Sequence, residues 1–219
     1  MKRNSENDKA MRYPRYALIS VSDKTGIENL ARALSDFGFD ILSTKGTAEA
    51  LIAAGIPVTE TKDFTESPEI LGGLTKSMHP KIFGGILARE TQPHLDELLE
   101  IGSAYIDLVV CNLYPIPKTA PNTSLPLDEL LGRIDVGGPS LLKAAAKNFE
   151  RVGVICDTDK YEELLWHLAS KGEVPYEVRF EWAKRAFEHV TTYDSMIYAT
   201  LLEYDLNTGK KTTGVPCRY

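Results

Sequence analysis

Between residues 16 and 60 the chain alternates short apolar runs with segments of helical spacing, and this alternation constrains the fold more than any other feature. Residues 16–21 (YALISV) form an apolar run that reads as a buried strand. Residues 24–37 place Ile27, Leu30, Ala31 and Leu34 on one helical stripe. Gly38 follows, where a left-handed residue would stop the helix. A second strand is expected at 39–43, a second helix at 47–54 closed by Gly55, and a brief third strand at 57–59. The order β-α-β-α-β implies a parallel sheet with right-handed crossovers and helices on its faces.

The remaining elements follow the same logic. Residues 62–81 show little periodicity and read as a long functional loop. A helix is expected at 94–101, and the strongest strand of the chain at 106–113 (IDLVVCNL). Pro115, Pro117 and Pro121 then impose an extended loop. Residues 126–131 read as a short helix, 134–139 as a Gly-rich turn, 140–148 as a helix with a thin alanine face, and 152–156 as a strand. An amphipathic helix is expected at 160–170. A long helix, or two, is expected at 175–202, with Phe180, Ala183, Phe187, Val190, Ile197 and Leu201 as its apolar face. Residues 1–13 are expected to be poorly ordered, 14–204 to form the domain, and 205–219 to be a frayed polar tail.

The 219 residues are enough for one such domain. The net charge of −6 gives no support for nonspecific nucleic-acid binding. No apolar run approaches the roughly 20 residues that span a bilayer, and residues 1–14 are polar, unlike a signal peptide. Three cysteines with no CxxC pair argue against a disulfide framework or a zinc site and fit a reducing, cytoplasmic compartment. GxGxxG, GxxxxGK[ST] and HExxH are all absent, which disfavours a Rossmann dehydrogenase, a P-loop nucleotidase and a zincin.

Three polar clusters fall just beyond strand ends, where a parallel sheet holds its ligands. Ser20-Val21-Ser22-Asp23-Lys24-Thr25-Gly26 and Ser43-Thr44-Lys45-Gly46-Thr47 are strand-to-helix turns carrying hydroxyls, a lysine and helix N-terminal amides, a combination suited to phosphate. The same residues also serve as ordinary helix caps. Asn112-Leu113-Tyr114-Pro115 follows the strongest strand and reads either as ligand contacts or as turn chemistry. Lys76 lies in the aperiodic loop, and Lys143 and Lys147 share a helix face.

Taken together, SVSDKTG, GTAEAL, KSMHPKIFGGILAR, IDLVVCNLYP, IDVGGPSLLKAAAKN and AFEHVTTYDSMI resemble the inosine monophosphate (IMP) cyclohydrolase half of the bifunctional purine biosynthesis protein family. The other half of that family's protein is a formyltransferase acting on aminoimidazole carboxamide ribotide (AICAR). The resemblance covers residues 16–204 and implies a methylglyoxal-synthase-like, three-layer α/β/α fold with a mainly parallel sheet and added C-terminal helices. It implies dehydrative ring closure of the formylated ribotide (FAICAR) to IMP, with no metal or organic cofactor.

By the same resemblance, Lys147 transfers a proton at the formyl oxygen, Asp135 assists deprotonation of the carboxamide, and Lys76 and Tyr114 stabilise developing oxyanions. A lysine in that role calls for burial or a neighbouring cation such as Lys143. The 5′-phosphate is expected on Ser20, Ser22, Lys24, Thr44, Gly46 and Thr47, and the base and ribose near Ser77, Asn112, Asp135 and Gly137. Asp23, Lys45, Cys111 and Val136 complete the expected substrate-binding set.

The chain departs from the family pattern at Leu74 (an arginine), Lys45 (a glycine), and Phe83 and Phe149 (commonly histidine). The expected partners are the nucleotide itself, a second copy in a homodimer, and a separate AICAR formyltransferase, with neither nucleic acid nor membrane. Two other readings share the fold. A methylglyoxal-synthase-type lyase would need its own carboxylate-and-histidine set, which is not found. A regulatory nucleotide-binding domain would have no need of the whole catalytic set.

Overall fold

The apolar run at the start becomes β1 (Arg15–Val21), whose Ala17, Leu18 and Ile19 are wholly buried. Consecutive buried residues on a strand mean that both sheet faces are covered, as in parallel α/β sheets. The computed structural model describes residues 14–68, 70–73, 75, 77–114, 126–205 and 210–211. After β1 come α1 (Ile27–Asp36), β2 (Phe39–Ser43), α2 (Lys45–Ala53), β3 (Thr59–Glu60) and α3 (Thr61–Thr65). Next are α4 (Pro80–Leu87), α5 (Gln92–Glu100), β4 (Ile106–Asn112), α6 (Leu127–Arg133) and α7 (Gly137–Lys147). β5 (Gly153–Ile155), α8 (Tyr161–Lys171), α9 (Tyr176–Leu201) and a small pair, β6 (Tyr204–Asp205) with β7 (Lys210–Lys211), complete the described chain.

The five-stranded sheet has the order β3-β2-β1-β4-β5, and every pairing in it is parallel. The chain winds outward from β1 through β2 to β3, then crosses to β4 on the other side of β1. The strand order therefore reverses between β1 and β4, which opens a crevice at their carboxyl ends. Helices cover both faces in three layers, with α1 against α8 on one side and α4 and α7 on the other. The long helix α9 packs on α7 and β5. No described helix is long and apolar enough to cross a membrane.

Several boundaries differ from the expected ones for local reasons. α1 begins at Ile27, because Gly26 adopts a left-handed backbone (φ 71°) and closes a separate turn first. α2 begins at Lys45, so Lys45 and Gly46 form its first turn. α4 was not expected, since Gly84 and Gly85 interrupt its apolar stripe. A Cβ on Gly85 would stand 2.5 Å from the carbonyl oxygen of Ala104, so glycine is what lets α4 lie against that segment. α7 starts at Gly137, within the expected turn.

α9 is one helix, and its buried residues coincide with the expected face only at Ala183 and Val190. Trp182, Ala183, Ala186, Val190 and Tyr193 point inward, whereas Phe180, Phe187 and Leu201 are exposed. Ala183 and Ala186 let the helix backbone come close to the sheet, and Trp182 lies over Gly153. Phe180 stacks at the rim on Phe149, with ring centroids 5.0 Å apart.

The amino edge of the sheet is tied together by Arg151. Its guanidinium donates to the carbonyls of Gly85 (2.6 Å), Ile86 (3.0 Å) and Ala88 (2.9 Å) and to the Asp107 carboxylate (2.6 Å). Asn148 adds bonds to Ile86 and Ala88. Burial pushes the Asp107 carboxyl upward, although Arg151 and Arg15 oppose it. The expected N-terminal segment (1–13) and the proline loop (115–125) lie outside the described residues. Part of the expected tail is paired, Tyr204 with Lys211 and Asp205 with Lys210.

Candidate active site

The crevice between β1 and β4 is built by hydrogen bonds between turns. Asn112, last in β4, accepts from the backbone N–H of Ser22 (2.7 Å) and Asp23 (3.0 Å) through Oδ1 and donates to the Asp23 carbonyl (3.0 Å) through Nδ2. Most of the amide's bonding capacity is thus spent on shaping the turn after β1. On the other side of β1, the Ser20 and Thr44 hydroxyls are 3.0 Å apart. Thr47 Oγ1 accepts from Val21 N–H and donates to Val21 C=O, both at 3.1 Å. Ser43 donates to the Ile19 carbonyl (2.7 Å).

These bonds lock the two expected phosphate turns side by side. Thr44 precedes α2 with no side-chain cap bond, and the first amides bonded back into the helix are those of Thr47 and Ala48. The amides of Lys45 and Gly46 therefore stand at the positive end of the helix, available to an anion. Asp23 Oδ1 instead accepts from Thr25 N–H (2.9 Å) and Oγ1 (2.7 Å), which holds its carboxyl below the usual range. Lys24 and Lys45 are exposed beside these turns.

The second half of the site lies at the start of α7. Asp135 Oδ1 accepts from Gly138 N–H (3.0 Å), capping the helix, and Asp135 N–H donates to Tyr193 Oη (2.7 Å). Ser77 is buried, and its hydroxyl stands 2.8 Å from where a Cβ on Gly137 would be. A Cβ on Gly138 would overlap Asp135 Oδ2 and sit 2.7 Å from Leu113 Cδ2, so the backbone there approaches closer than any side chain allows. Cys111 lies under this turn, with Sγ 3.9 Å from the Gly138 carbonyl. Burial, with the Asp135 charge adding to it, pushes the Cys111 thiol up, so it stays protonated. Tyr161 is pushed up to about 12 by burial, with Asp23 and Cys111 adding to it.

Since Ser20 pairs with Cys111 and Val21 with Asn112 in the sheet register, both halves belong to one edge. The structure thus brings together Ser20, Ser22, Asp23, Thr44, Gly46, Thr47, Ser77, Cys111, Asn112, Asp135 and Gly137. Tyr114 and Val136 are exposed at the same edge. Lys76 and Leu74 lie outside the described residues. Lys147 is not gathered in. It is exposed in the last turn of α7, ten residues beyond Gly137 and so about 15 Å along the helix axis. The neighbouring cation expected beside it, Lys143, pairs with Asp194 (3.2 Å).

Sequence reasoning missed Tyr193, which orients Asp135, because its partner is 58 residues away. It also missed the loop's own strain: Glu66 and Leu71 adopt left-handed backbone (φ 57° and 52°), a feature that clusters at functional sites. His79 caps α4, accepting from Lys81 N–H (3.2 Å), with its other nitrogen 3.3 Å from Ser67 Oγ.

An all-parallel sheet of this order, with paired hydroxyl turns and a glycine turn at its reversal point, defines a domain of the methylglyoxal-synthase-like class. The chain belongs to that family: the MGS-like domain matches residues 26–140. The AICARFT/IMPCHase bienzyme family matches residues 145–217. The chain is 46% identical over 183 residues to the bifunctional purine biosynthesis protein PurH of Desulfitobacterium hafniense, covering 84% of this chain and 35% of the relative. It is 47% identical over 195 residues to PurH of a Cyanothece strain, covering 88% and 38%. The chain thus spans little more than a third of the length of these curated relatives. Its structure is similar to the crystal structure of ForH, with a TM-score of 0.75 and 38% identity over 85% of this chain and 98% of that one.

Proposed function

We propose that the chain is an IMP cyclohydrolase, converting FAICAR to IMP with loss of water in cytoplasmic purine biosynthesis. The observation that carries this reading is the continuous edge from the Thr44–Ser20 hydroxyl pair, through Asn112, to the Asp135–Gly138 turn. One end offers amides and hydroxyls to a phosphate. The other offers a carboxylate beside a close-approach glycine turn, where a planar base can lie. Likeness to PurH supports a purine nucleotide as the occupant.

In the reaction, the carboxamide nitrogen attacks the formyl carbon and a C–N bond forms. An amide nitrogen is a poor nucleophile, so Asp135 takes its proton as the bond forms. The formyl oxygen becomes an alkoxide that Lys76 and Tyr114 stabilise; protonated twice, it leaves as water as the C–O bond breaks, the formamide nitrogen gives up its proton and the ring C=N bond forms. The family resemblance assigns the proton to Lys147, which stands at the far end of α7 from Asp135, so this is the role that Lys147→Ala tests. The formyl group itself is supplied by an AICAR formyltransferase, and a homodimer is the assembly the family implies.

A second reading, a purine-nucleotide-binding regulatory domain, is favoured by one observation: Lys147 stands exposed and remote from Asp135. Synthetic FAICAR, followed by ultraviolet absorbance without metal or folate, separates the two. Conversion by the wild type that is lost in Asp135→Asn establishes the cyclohydrolase. Binding of IMP without conversion of FAICAR establishes the binding domain. Lys147→Ala, run in parallel, is expected to lose conversion; an unchanged rate would remove Lys147 from the mechanism.

A further inference from the structure

One strand beyond the crevice, the carboxyl end of β5 carries a cluster that the ring-closure chemistry does not use. Cys156 follows β5 directly, and Asp157 follows it. α9 brings His189 and Arg185 over both. Cys156 is buried, with Sγ 3.6 Å from Asp157 Oδ2. His189 Nδ1 lies 4.0 Å from Asp157 Oδ1. One ligand atom from each of the three residues lies within 4.8 Å of the others, and among the described residues this is the only group of three or more His, Cys, Asp or Glu so disposed.

Two features separate this cluster from an ordinary surface ion pair. The 4.0 Å between imidazole and carboxylate is too long for a hydrogen bond. Tetrahedral coordination with bonds of roughly 2.0–2.2 Å sets such a nitrogen and oxygen about 3.4 Å apart, so a small inward rotation of either side chain brings them to ligand spacing. The thiol sits at the rim of the apolar core with its S–H within reach of the Asp157 carboxylate, so a sulfur, a carboxylate and a ring nitrogen meet at one point. Arg185 holds Asp157 Oδ2 at 2.7 Å, which orients the carboxylate and leaves Oδ1 toward His189. A donor set of sulfur, imidazole nitrogen and one carboxylate oxygen suits zinc-class ions and not magnesium or calcium.

We propose that Cys156, Asp157 and His189 form a binding site for a zinc-class divalent cation, with the fourth position open to water; cysteine spacing alone argues against zinc because His189 is distant in sequence from Cys156. The side chains of Asp157 and His189 are partly exposed, at 25% and 31%, so an ion can enter from solvent. The ion would clamp α9 to the end of β5. Its place in the molecule is structural, and it stands whether or not FAICAR is the substrate.

The test uses Co²⁺ alone as a spectroscopic probe on the whole chain carrying Cys217→Ser, with Cys111 retained. One equivalent of Co²⁺ is expected to give a thiolate-to-cobalt charge-transfer band that Zn²⁺ displaces. Cys156→Ser abolishes the band, His189→Gln weakens Co²⁺ binding at least tenfold, and Cys111→Ala changes neither. Melting curves without metal establish that each variant folds, and Zn²⁺ raises the Tm of the parent and of Cys111→Ala but not of Cys156→Ser. Absence of the band at excess Co²⁺, or its survival in Cys156→Ser, overturns the proposal. Should Cys156→Ser fail to fold, unchanged Co²⁺ affinity in His189→Gln overturns it equally.

Discussion

The side-chain oxygen of Asn112 accepts hydrogen bonds from the backbone of both Ser22 and Asp23, at 2.7 and 3.0 Å. One amide at the end of β4 therefore sets the shape of the turn after β1, across the point where the strand order reverses. Asn112→Ala removes the acceptor for two amides and the donor to the Asp23 carbonyl. The expected cost is about 1–3 kcal/mol of stability. Urea unfolding measures that cost, and calorimetry with IMP is expected to show weakened binding as the turn loosens.

Two glycines of the site are expected to respond oppositely to alanine. Gly138→Ala forces a methyl group onto Asp135 and Leu113, so destabilisation of roughly 1–3 kcal/mol and loss of activity should appear together. A Cβ on Gly46 meets no atom within 4 Å. Gly46→Ala is therefore expected to leave Tm nearly unchanged while lowering IMP affinity, because the methyl group crowds the position proposed for phosphate. Unchanged affinity would place the phosphate elsewhere.

Tyr193→Phe tests whether Asp135 needs orienting. Loss of the hydroxyl strips the Asp135 amide of its 2.7 Å partner and should cost about 1–2 kcal/mol. If Tyr193 is a positioning residue, kcat on FAICAR falls more than KM rises. A rise in KM with kcat unchanged would assign it to binding.

Asp23 supplies a pH signature. Its carboxyl is held low by the Thr25 hydroxyl and then by the Thr25 amide. A depressed folded-state pKa contributes stability that is present above the unfolded value, near 3.9, and is lost as pH falls through the folded value. The window thus lies below about pH 4. Thr25→Ala is expected to move the Asp23 titration upward, toward the ordinary value, as followed by carboxyl ¹³C shifts. An unmoved titration would exclude the hydroxyl as the cause.

The sheet was legible in the sequence because its strands are local apolar runs: 39–43 matches β2, and 106–113 contains all of β4. α4 was not legible, since Gly84 and Gly85 erase the helical stripe for a reason that lies in Ala104, which is distant in sequence. The buried face of α9 was legible only in part: Ala183 and Val190 lie on the expected face, but Phe180, Phe187 and Leu201 were favoured over Ala186, whereas close approach to the sheet favours the small residue. At the site, residue types and turns were readable. Partnerships such as Asn112 with Ser22, or Tyr193 with Asp135, were not, because nothing local encodes which distant group a side chain will meet.

Arg151 carries a consequence for how the molecule opens. Its five-donor fork holds the end of α4, the segment after it and the start of β4 in one bonded unit. Removing any one of these segments strands buried donors, so local fraying at this end is penalised. Amide protons of α4's last turn should therefore exchange together with those of β4, in a single cooperative event rather than by piecemeal breathing.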